Sequence, residues 1–248
     1  MILVGDIGNT ETKICLVNAK NKIVKKITLP SKNISNLILN KKFKLFNLSN
    51  KKIIKCLFCS VVPKTFQFIR IYIKKKYKIK CFELKDLKLN RLIEIKVNKK
   101  QIGSDRLANA IGISDNKNNY IILDFGTATT FDAIVKNVYY GGVIAPGVKL
   151  SLNTLINKAS LIPELNLKKV DKVIGLNTIS AVRSGFFWGY GGLIENILNL
   201  IKKETKKSFK IIMTGGFSHL FKKSIKLKIT IDEDITIKGL IKSSDLIK

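Results

Sequence analysis

Two stretches of this chain place a carboxylate where phosphate chemistry would use one. Ile2-Leu-Val-Gly-Asp-Ile-Gly-Asn-Thr-Glu-Thr-Lys-Ile14 is one, and Tyr120-Ile-Ile-Leu-Asp-Phe-Gly-Thr-Ala-Thr-Thr-Phe-Asp-Ala-Ile134 is the other. In each, an apolar run ends on Asp-x-Gly, crosses a small hydroxyl-rich turn and enters a return run. Glycine lets backbone amides approach an oxyanion, and the carboxylate holds a cation or its water. Asp6 and Asp124 stand 118 residues apart in a chain of 248, close to half its length. The repetition predicts a duplicated domain closing on one nucleotide. A third loop, Thr214-Gly-Gly216, lies between a buried strand and a helix start, where free N–H groups can meet a phosphate or the nucleoside. The chain contains no GxxxxGK[ST] and no GxGxxG, which argues against a P-loop enzyme and a dinucleotide site.

The two copies differ in what they offer. The first supplies the Gly8 and Asn9 amides, the Thr10 hydroxyl and the Lys13 charge, whereas the second has no Lys. Between them, Gly103-Ser-Asp-Arg106 opens a helix, with Ser104 or Asp105 expected at the N-cap. Asp105 is the candidate base, because unpaired N–H groups and the helix dipole favour its ionised form. A plain capping role is the simpler alternative. Arg106 is one of four Arg among 46 basic residues, so its guanidinium is a candidate for bidentate carboxylate or phosphate binding, with a structural ion pair as the alternative.

The elements that must position these groups follow from periodicity and turn chemistry. Residues 2–6 and 12–17 form the first hairpin, and Ile23 to Leu29 adds a strand ended by Pro30. Residues 31–50 read as helix plus loop. Ile53 to Val62 is a strand, Pro63 opens a helix through about Lys75, Lys78 to Leu84 and Ile93 to Val97 are strand-like, and a helix follows Gly103. The second half repeats the hairpin, adds a strand over Tyr139 to Gly147 and a helix over Lys149 to Ser160. A long glycine-punctuated helix spans Thr178 to Ile201, a strand spans Phe209 to Gly216, and a short strand and helix close the chain. The expectation is α/β, with two duplicated RNase H-like lobes of mixed sheets: residues 1–117 and 118–248.

Composition narrows the remaining classes. No window reaches about 18 uninterrupted apolar residues, and the N-terminus lacks a basic signal region, so a cytoplasmic protein is expected. The net charge of +29 invites a nucleic-acid reading. Lys, Ile and Asn, all encoded by A/T-rich codons, together supply 101 of the 248 residues, and the Lys are scattered. Base bias therefore explains the charge, and no specific nucleic acid is expected. Cys56 and Cys59 lie in an apolar run, and a zinc site would need two more ligands where His219 is the only His. Cys15, Cys56, Cys59 and Cys81 are read as reduced core residues.

Eight segments in order carry a family resemblance: Asp6-Ile-Gly-Asn-Thr-x-x-Lys13, Ser60-Val-Val-Pro63, Gly103-x-Asp-Arg106, Asp124 to Thr130, Gly141 to Gly147, Gly175-x-Asn-Thr178, Ser184-Gly185 and Thr214-Gly-Gly216. Over nearly its whole length the chain resembles type III pantothenate kinases, of the actin-like ATPase superfamily. The resemblance implies an ATP-dependent kinase that phosphorylates pantothenate in coenzyme A synthesis, with the nucleotide in a cleft between two actin-like lobes. It further implies a cytoplasmic homodimer that requires K⁺ or NH₄⁺, with Mg²⁺ accompanying ATP. Carried over residue by residue, ATP would be bound by Asp6, Ile7, Gly8, Asn9, Thr10, Glu11, Thr12 and Lys13, with Thr127. Gly103, Ser104, Asp105, Arg106 and Thr178 would bind pantothenate, Asp105 would accept its hydroxyl proton, and Asp124 would ligate the monovalent cation. One departure stands out: where the family usually has a pocket Tyr, position 96 is Lys. Two competing expectations follow, a catalytically altered transcription-accessory or nucleic-acid-binding relative and a kinase for another hydroxy acid.

Overall fold

The central strand of each half carries an apolar run up to its Asp because it is paired on both edges and its apolar residues are buried. The computed structural model describes residues 1–47 and 52–247, so the end of the expected helix-plus-loop over 31–50 lies outside the described residues. In chain order the first half contains β1 (Ile2–Ile7), β2 (Glu11–Val17), β3 (Ile23–Pro30), α1 (Asn36–Lys44), β4 (Lys55–Ser60), α2 (Pro63–Tyr77), β5 (Phe82–Glu83), β6 (Glu94–Ile95) and α3 (Ser104–Ile113). The second contains β7 (Asn119–Phe125), β8 (Ala128–Val135), β9 (Val138–Pro146), α4 (Val148–Lys158), α5 (Thr178–Thr205), β10 (Lys210–Gly215), α6 (Ser218–Lys222), β11 (Ile229–Ile231) and α7 (Ile235–Ser243).

The chain forms two compact units. One comprises Met1–Asp115, Asn137–Tyr139 and Asp234–Lys248, and the other comprises Asn116–Lys136 and Tyr140–Glu233. The segment from Asp234 onward, grouped with the second half in the sequence reading, thus packs in the first unit. The first sheet has the order β3-β2-β1-β4-β5, and the second continues as β11-β10-β7-β8-β9. The two orders are the same arrangement: β1 pairs antiparallel with β2 and parallel with β4, as β7 does with β8 and β10. β6 adds to the first two residues of β9, Glu94 opposite Val138 and Ile95 opposite Tyr139. The α/β class with two mixed sheets is as expected.

Local signals set the helices. Pro63 occupies the first turn of α2, where a missing N–H costs nothing, and α2 buries Phe66, Ile69, Tyr72 and Ile73 along one face. Lys78, in the left-handed conformation, ends α2 and returns its N–H to Lys74 O at 3.1 Å. Ser35 caps α1 by accepting the Ile38 N–H. The strand expected over 78–84 shrinks to Phe82–Glu83, because the Glu83 carboxylate accepts the Lys85 N–H at 2.5 Å and turns Leu84–Asp86 into a 3₁₀ turn. The four cysteines are buried, Cys56 and Cys59 within β4.

The core of the first unit gathers Leu3, Ile14, Phe43, Phe58 and Ile69 around its sheet. That of the second gathers Leu123, Phe131, Phe187, Met213 and Phe221. α7 lies directly on α3: a Cβ added at Gly239 would sit 1.8 Å from Ala108 O, a backbone atom that cannot step aside. Gly239→Ala is therefore expected to cost about 2–3 kcal/mol through overpacking, lowering the melting temperature by roughly 5–10 °C in a thermal scan. An unchanged melting temperature would refute this contact.

Candidate active site

Asp6 sits near the end of β1, opposite Lys13 on β2 and Cys59 on β4. The following loop closes tightly. The Gly8 N–H donates to Glu11 O at 3.0 Å, and Ser31 braces the loop from below through its N–H to Thr10 O (2.9 Å) and its hydroxyl to Gly8 O (2.6 Å). Asn9, Thr10 and Glu11 are left exposed at the tip, with Gly8 and Lys13 half-buried. Ile7 and Thr12 are interior, and the Thr12 hydroxyl shares a 2.9 Å hydrogen bond with Ser31. These two side chains shape the loop, while its tip faces outward.

The Asp6 carboxylate is pushed up to about 6, mainly because burial removes water from its charged form and secondarily because the charge of Asp105 acts on it. The Cys59 thiol, which donates to Asp6 Oδ1 at 3.4 Å, and the charge of Lys13 oppose that rise. The structure thus brings Asp6 and Asp105, distant in sequence, into one electrostatic site within the first unit.

At the start of α3 the structure corrects the expected cap. The N-cap is Gly103, with no side-chain hydrogen bond, and Ser104 and Asp105 are already helical. The Ser104 hydroxyl turns away from the helix end and donates to Glu83 Oε1. Asp105 accepts the Arg106 N–H at 2.8 Å through Oδ1. Burial raises its proton affinity, opposed by that amide and by the Arg106 guanidinium, so desolvation outweighs the helix end that favours the ionised form. A base that holds its proton more tightly than an ordinary Asp is better matched to accepting one from a hydroxyl. Gly103 is needed for this geometry, since a Cβ there would lie 2.4 Å from Asp105 Oδ1.

In the second unit the hairpin is one residue tighter, and only Gly126 and Thr127 separate its strands. Both are exposed, with the Gly126 N–H donating to Ala128 O at 3.0 Å. The cross-strand partner of Asp124 is Thr130, where the partner of Asp6 is Lys13. The two side chains of such a pair share a face of the sheet, and the buried Thr130 Oγ1 has no hydrogen-bond partner. A carboxylate beside an unsatisfied hydroxyl is an oxygen donor set suited to a hard monovalent cation. The third loop adjoins this hairpin, with Thr214 opposite Asp124 on the parallel strand β10. Gly215 adopts φ +85° and leaves room for Phe125 O, which a Cβ would approach to 2.5 Å. The Gly216 N–H is already committed to Phe125 O (3.2 Å), and α6 is only five residues long. The free helix-end amides expected there are therefore fewer. Thr178 stands exposed as the first residue of α5, after an Asn177–Ser180 capping box.

Sequence reading overlooked Ser31, Cys59 and Glu83, which hold the site together across the sheet. The Lys96 N–H extends the β6–β9 pairing to Tyr139 O at 3.1 Å. Among the described residues, no helix is long and apolar enough to cross a membrane.

The buried Asp6 carboxylate has a consequence for stability. Its folded-state pKa lies above the ordinary value of 3.8, so its contribution is fully present below that value and lost as pH rises through about 6. Asp6→Asn removes the cost of a buried charge. The free protein should gain roughly 2–3 kcal/mol at pH 8 and nothing near pH 3.5, measured by denaturant unfolding at both pH values. Equal effects at the two pH values would contradict the buried-charge account.

Residues 2–200 match the type III pantothenate kinase family. A type III pantothenate kinase of Pelagibacter ubique (strain HTCC1062) is 71% identical over 248 residues, covering 100% of both chains. Among solved structures, a Campylobacter jejuni protein assigned to the Baf family of transcriptional activators aligns with TM-score 0.62 and 19% identity, covering 98% of this chain and 96% of that one. The activator of the 2-hydroxyisocaproyl-CoA dehydratase from Clostridium difficile, with bound ADPNP, aligns with TM-score 0.54 and 11% identity, covering 98% and 92%. At these identities the structures speak for the fold alone. The sequence match over the full chain speaks for more: this protein belongs to the type III pantothenate kinase family.

Proposed function

We propose that this chain transfers the γ-phosphoryl group of ATP to the primary hydroxyl of pantothenate, giving ADP and 4′-phosphopantothenate, the first step of coenzyme A biosynthesis. The observation that carries the proposal is 71% identity over the full length to a type III pantothenate kinase, in a chain that carries Asp6, Asp105 and Asp124. The pantothenate hydroxyl oxygen forms the new bond to the γ-phosphorus, the bond to the ADP oxygen breaks, and the hydroxyl proton passes to Asp105. Phosphoryl transfer through a loose transition state depends on positioning and on charge neutralisation more than on a strong base. Asp105 chiefly orients the hydroxyl in line, and its raised proton affinity lets it keep the proton afterwards.

The loop from Asp6 to Lys13 binds the phosphates of ATP, its exposed tip offering amides and the Thr10 hydroxyl, with the Lys13 ammonium beside Asp6. Asp6 would hold the Mg²⁺ that accompanies ATP, or its water, and the ion would offset phosphate charge. Asp124 and Thr130 would hold K⁺ or NH₄⁺, which would add positive charge to the site, and Thr127 would contact ATP. Gly103 to Arg106 and Thr178 bind pantothenate, the Arg106 guanidinium pairing with its carboxylate.

The protein acts in the cytoplasm as a homodimer. The second unit exposes Ile144, Leu161, Ile174 and Leu176 at 65%, 88%, 80% and 89%, apolar side chains that a partner surface would cover. On α5, a Cβ at Gly185, Gly189 or Gly192 would meet nothing within 4 Å, which leaves a smooth face for close packing, with Trp188 beside it.

ATP-dependent phosphorylation of pantothenate, measured in K⁺ and in Na⁺ with Mg²⁺ present, tests the activity. Turnover in K⁺ and little in Na⁺ is expected, and absence of turnover in both would refute it. Asp105→Asn should lower kcat by about 10²–10⁴-fold, while Asp124→Asn should remove the response to K⁺. Wild-type kcat in the first variant would exclude Asp105 from the mechanism. In sedimentation equilibrium the wild type should run as a dimer and Trp188→Glu should shift it towards monomer; a monomeric wild type would exclude the assembly.

A further inference from the structure

Glu83 closes β5 and lies outside every phosphate-loop motif of the sequence, yet its carboxylate ties together three segments. Oε1 accepts the Ser104 hydroxyl and the Ser60 N–H (3.4 Å), and Oε2 accepts the Lys85 N–H (2.5 Å). Ser60 ends β4 and begins the turn before α2, while Ser104 is the first helical residue of α3, directly before Asp105. The neighbouring residues strengthen the same junction. Lys85 Nζ donates to Ile102 O (2.8 Å) and Lys100 O (3.1 Å), and Lys99 Nζ donates back to Lys85 O (2.8 Å) and Leu87 O (3.2 Å). The stretch 83–87 thereby grips the stretch 99–104 that leads into α3.

We propose that Glu83 is a positioning residue for phosphoryl transfer, holding the first turn of α3 through Ser104 so that Asp105 meets the acceptor hydroxyl. This role presupposes the pantothenate kinase activity proposed above. Two features favour it over a purely local turn cap. Capping the Leu84–Asp86 turn uses only Oε2, and it leaves Oε1 directed at residues 21 and 23 positions away. The N-cap of α3, Gly103, has no side chain to cap the helix, so the Glu83–Ser104 bond anchors that helix end from a separate segment of the chain. Ser104 is 1% exposed, so its hydroxyl has no water to turn to if Glu83 is removed. Asp105 shares that turn, and its Oδ1 is packed against the Gly103 backbone. A small shift of the turn is therefore a shift of the base.

The test compares wild type with Glu83→Ala, Glu83→Gln, Ser104→Ala and the Glu83→Ala/Ser104→Ala double variant, as full chains in K⁺ buffer. Glu83→Ala should lower kcat by roughly 10–100-fold with KM for ATP unchanged within about twofold, as expected for a base displaced on the ångström scale. Glu83→Gln keeps a carbonyl acceptor for Ser104 and should stay within about fivefold of wild type. The double variant should be no slower than the slower single variant, because both remove one interaction. Wild-type kcat in Glu83→Ala, an equal loss in KM for ATP, or additive losses would overturn the proposal. Should Glu83→Ala fail to fold, Glu83→Gln and Ser104→Ala supply the same comparison from each side of the bond. Amide hydrogen exchange on the unliganded protein gives a readout independent of turnover: Glu83→Ala or Ser104→Ala should speed exchange over residues 103–108 selectively, and unchanged exchange there would overturn the proposal. If wild type turns over no pantothenate, the kinase proposal fails by itself, and the exchange result alone decides whether Glu83 holds the helix start.

Discussion

The burial of two carboxylates, Asp6 and Asp105, in one electrostatic site is the constraint on which the rest of the first unit depends. Each loses water on burial, and the charge of Asp105 raises the proton affinity of Asp6 further. Of the chain's 46 basic residues, few relieve this strain: Lys13 acts on Asp6, and Arg106 and Lys85 act on Asp105. The other partners are the Cys59 thiol and the Arg106 amide. The arrangement is costly in the free protein and pre-set for positive charge. Sites that store cost of this kind are where local stability yields to chemistry.

Duplication supplied the frame, and divergence divided the work. Both sheets run in one order, with the Asp-x-Gly strand at the centre between an antiparallel hairpin partner and a parallel strand. Opposite the carboxylate, however, the first hairpin has Lys13 and the second Thr130. An ammonium stands beside Asp6, whereas a hydroxyl stands beside Asp124. The parallel partners differ in the same way: Cys59 donates to Asp6, while Thr214 opposite Asp124 leads into a glycine turn. One register position thus carries a different residue type in each copy of an otherwise repeated loop.

Asp105 begins a helix whose start is held from outside, by Glu83 on a strand of only two residues and by Lys85 and Lys99 crossing between two turns. α7 is laid on the same helix so closely that only glycine fits at position 239. A short helix with a glycine N-cap is thus fixed at one end by side-chain hydrogen bonds and along its length by packing.

The amino-acid sequence by itself determined the two hairpins, their repetition, the α/β class, most helix starts and the family, because alternation, turn chemistry and Asp-x-Gly are local patterns. It also offered Asp6, Asp105 and Asp124 as candidates for chemistry. Tertiary structure alone decided how those residues are held. That Cys59 faces Asp6 follows from the parallel register of β1 and β4, and that Ser31 braces Gly8 follows from the return of β3. Ser104 looked like an N-cap because Ser usually bonds to its own helix; a carboxylate 21 residues earlier took its hydroxyl instead. The last segment joined the first unit because α7 found its partner in α3, more than a hundred residues before it. Pairings of that separation depend on register and burial, which no local pattern records.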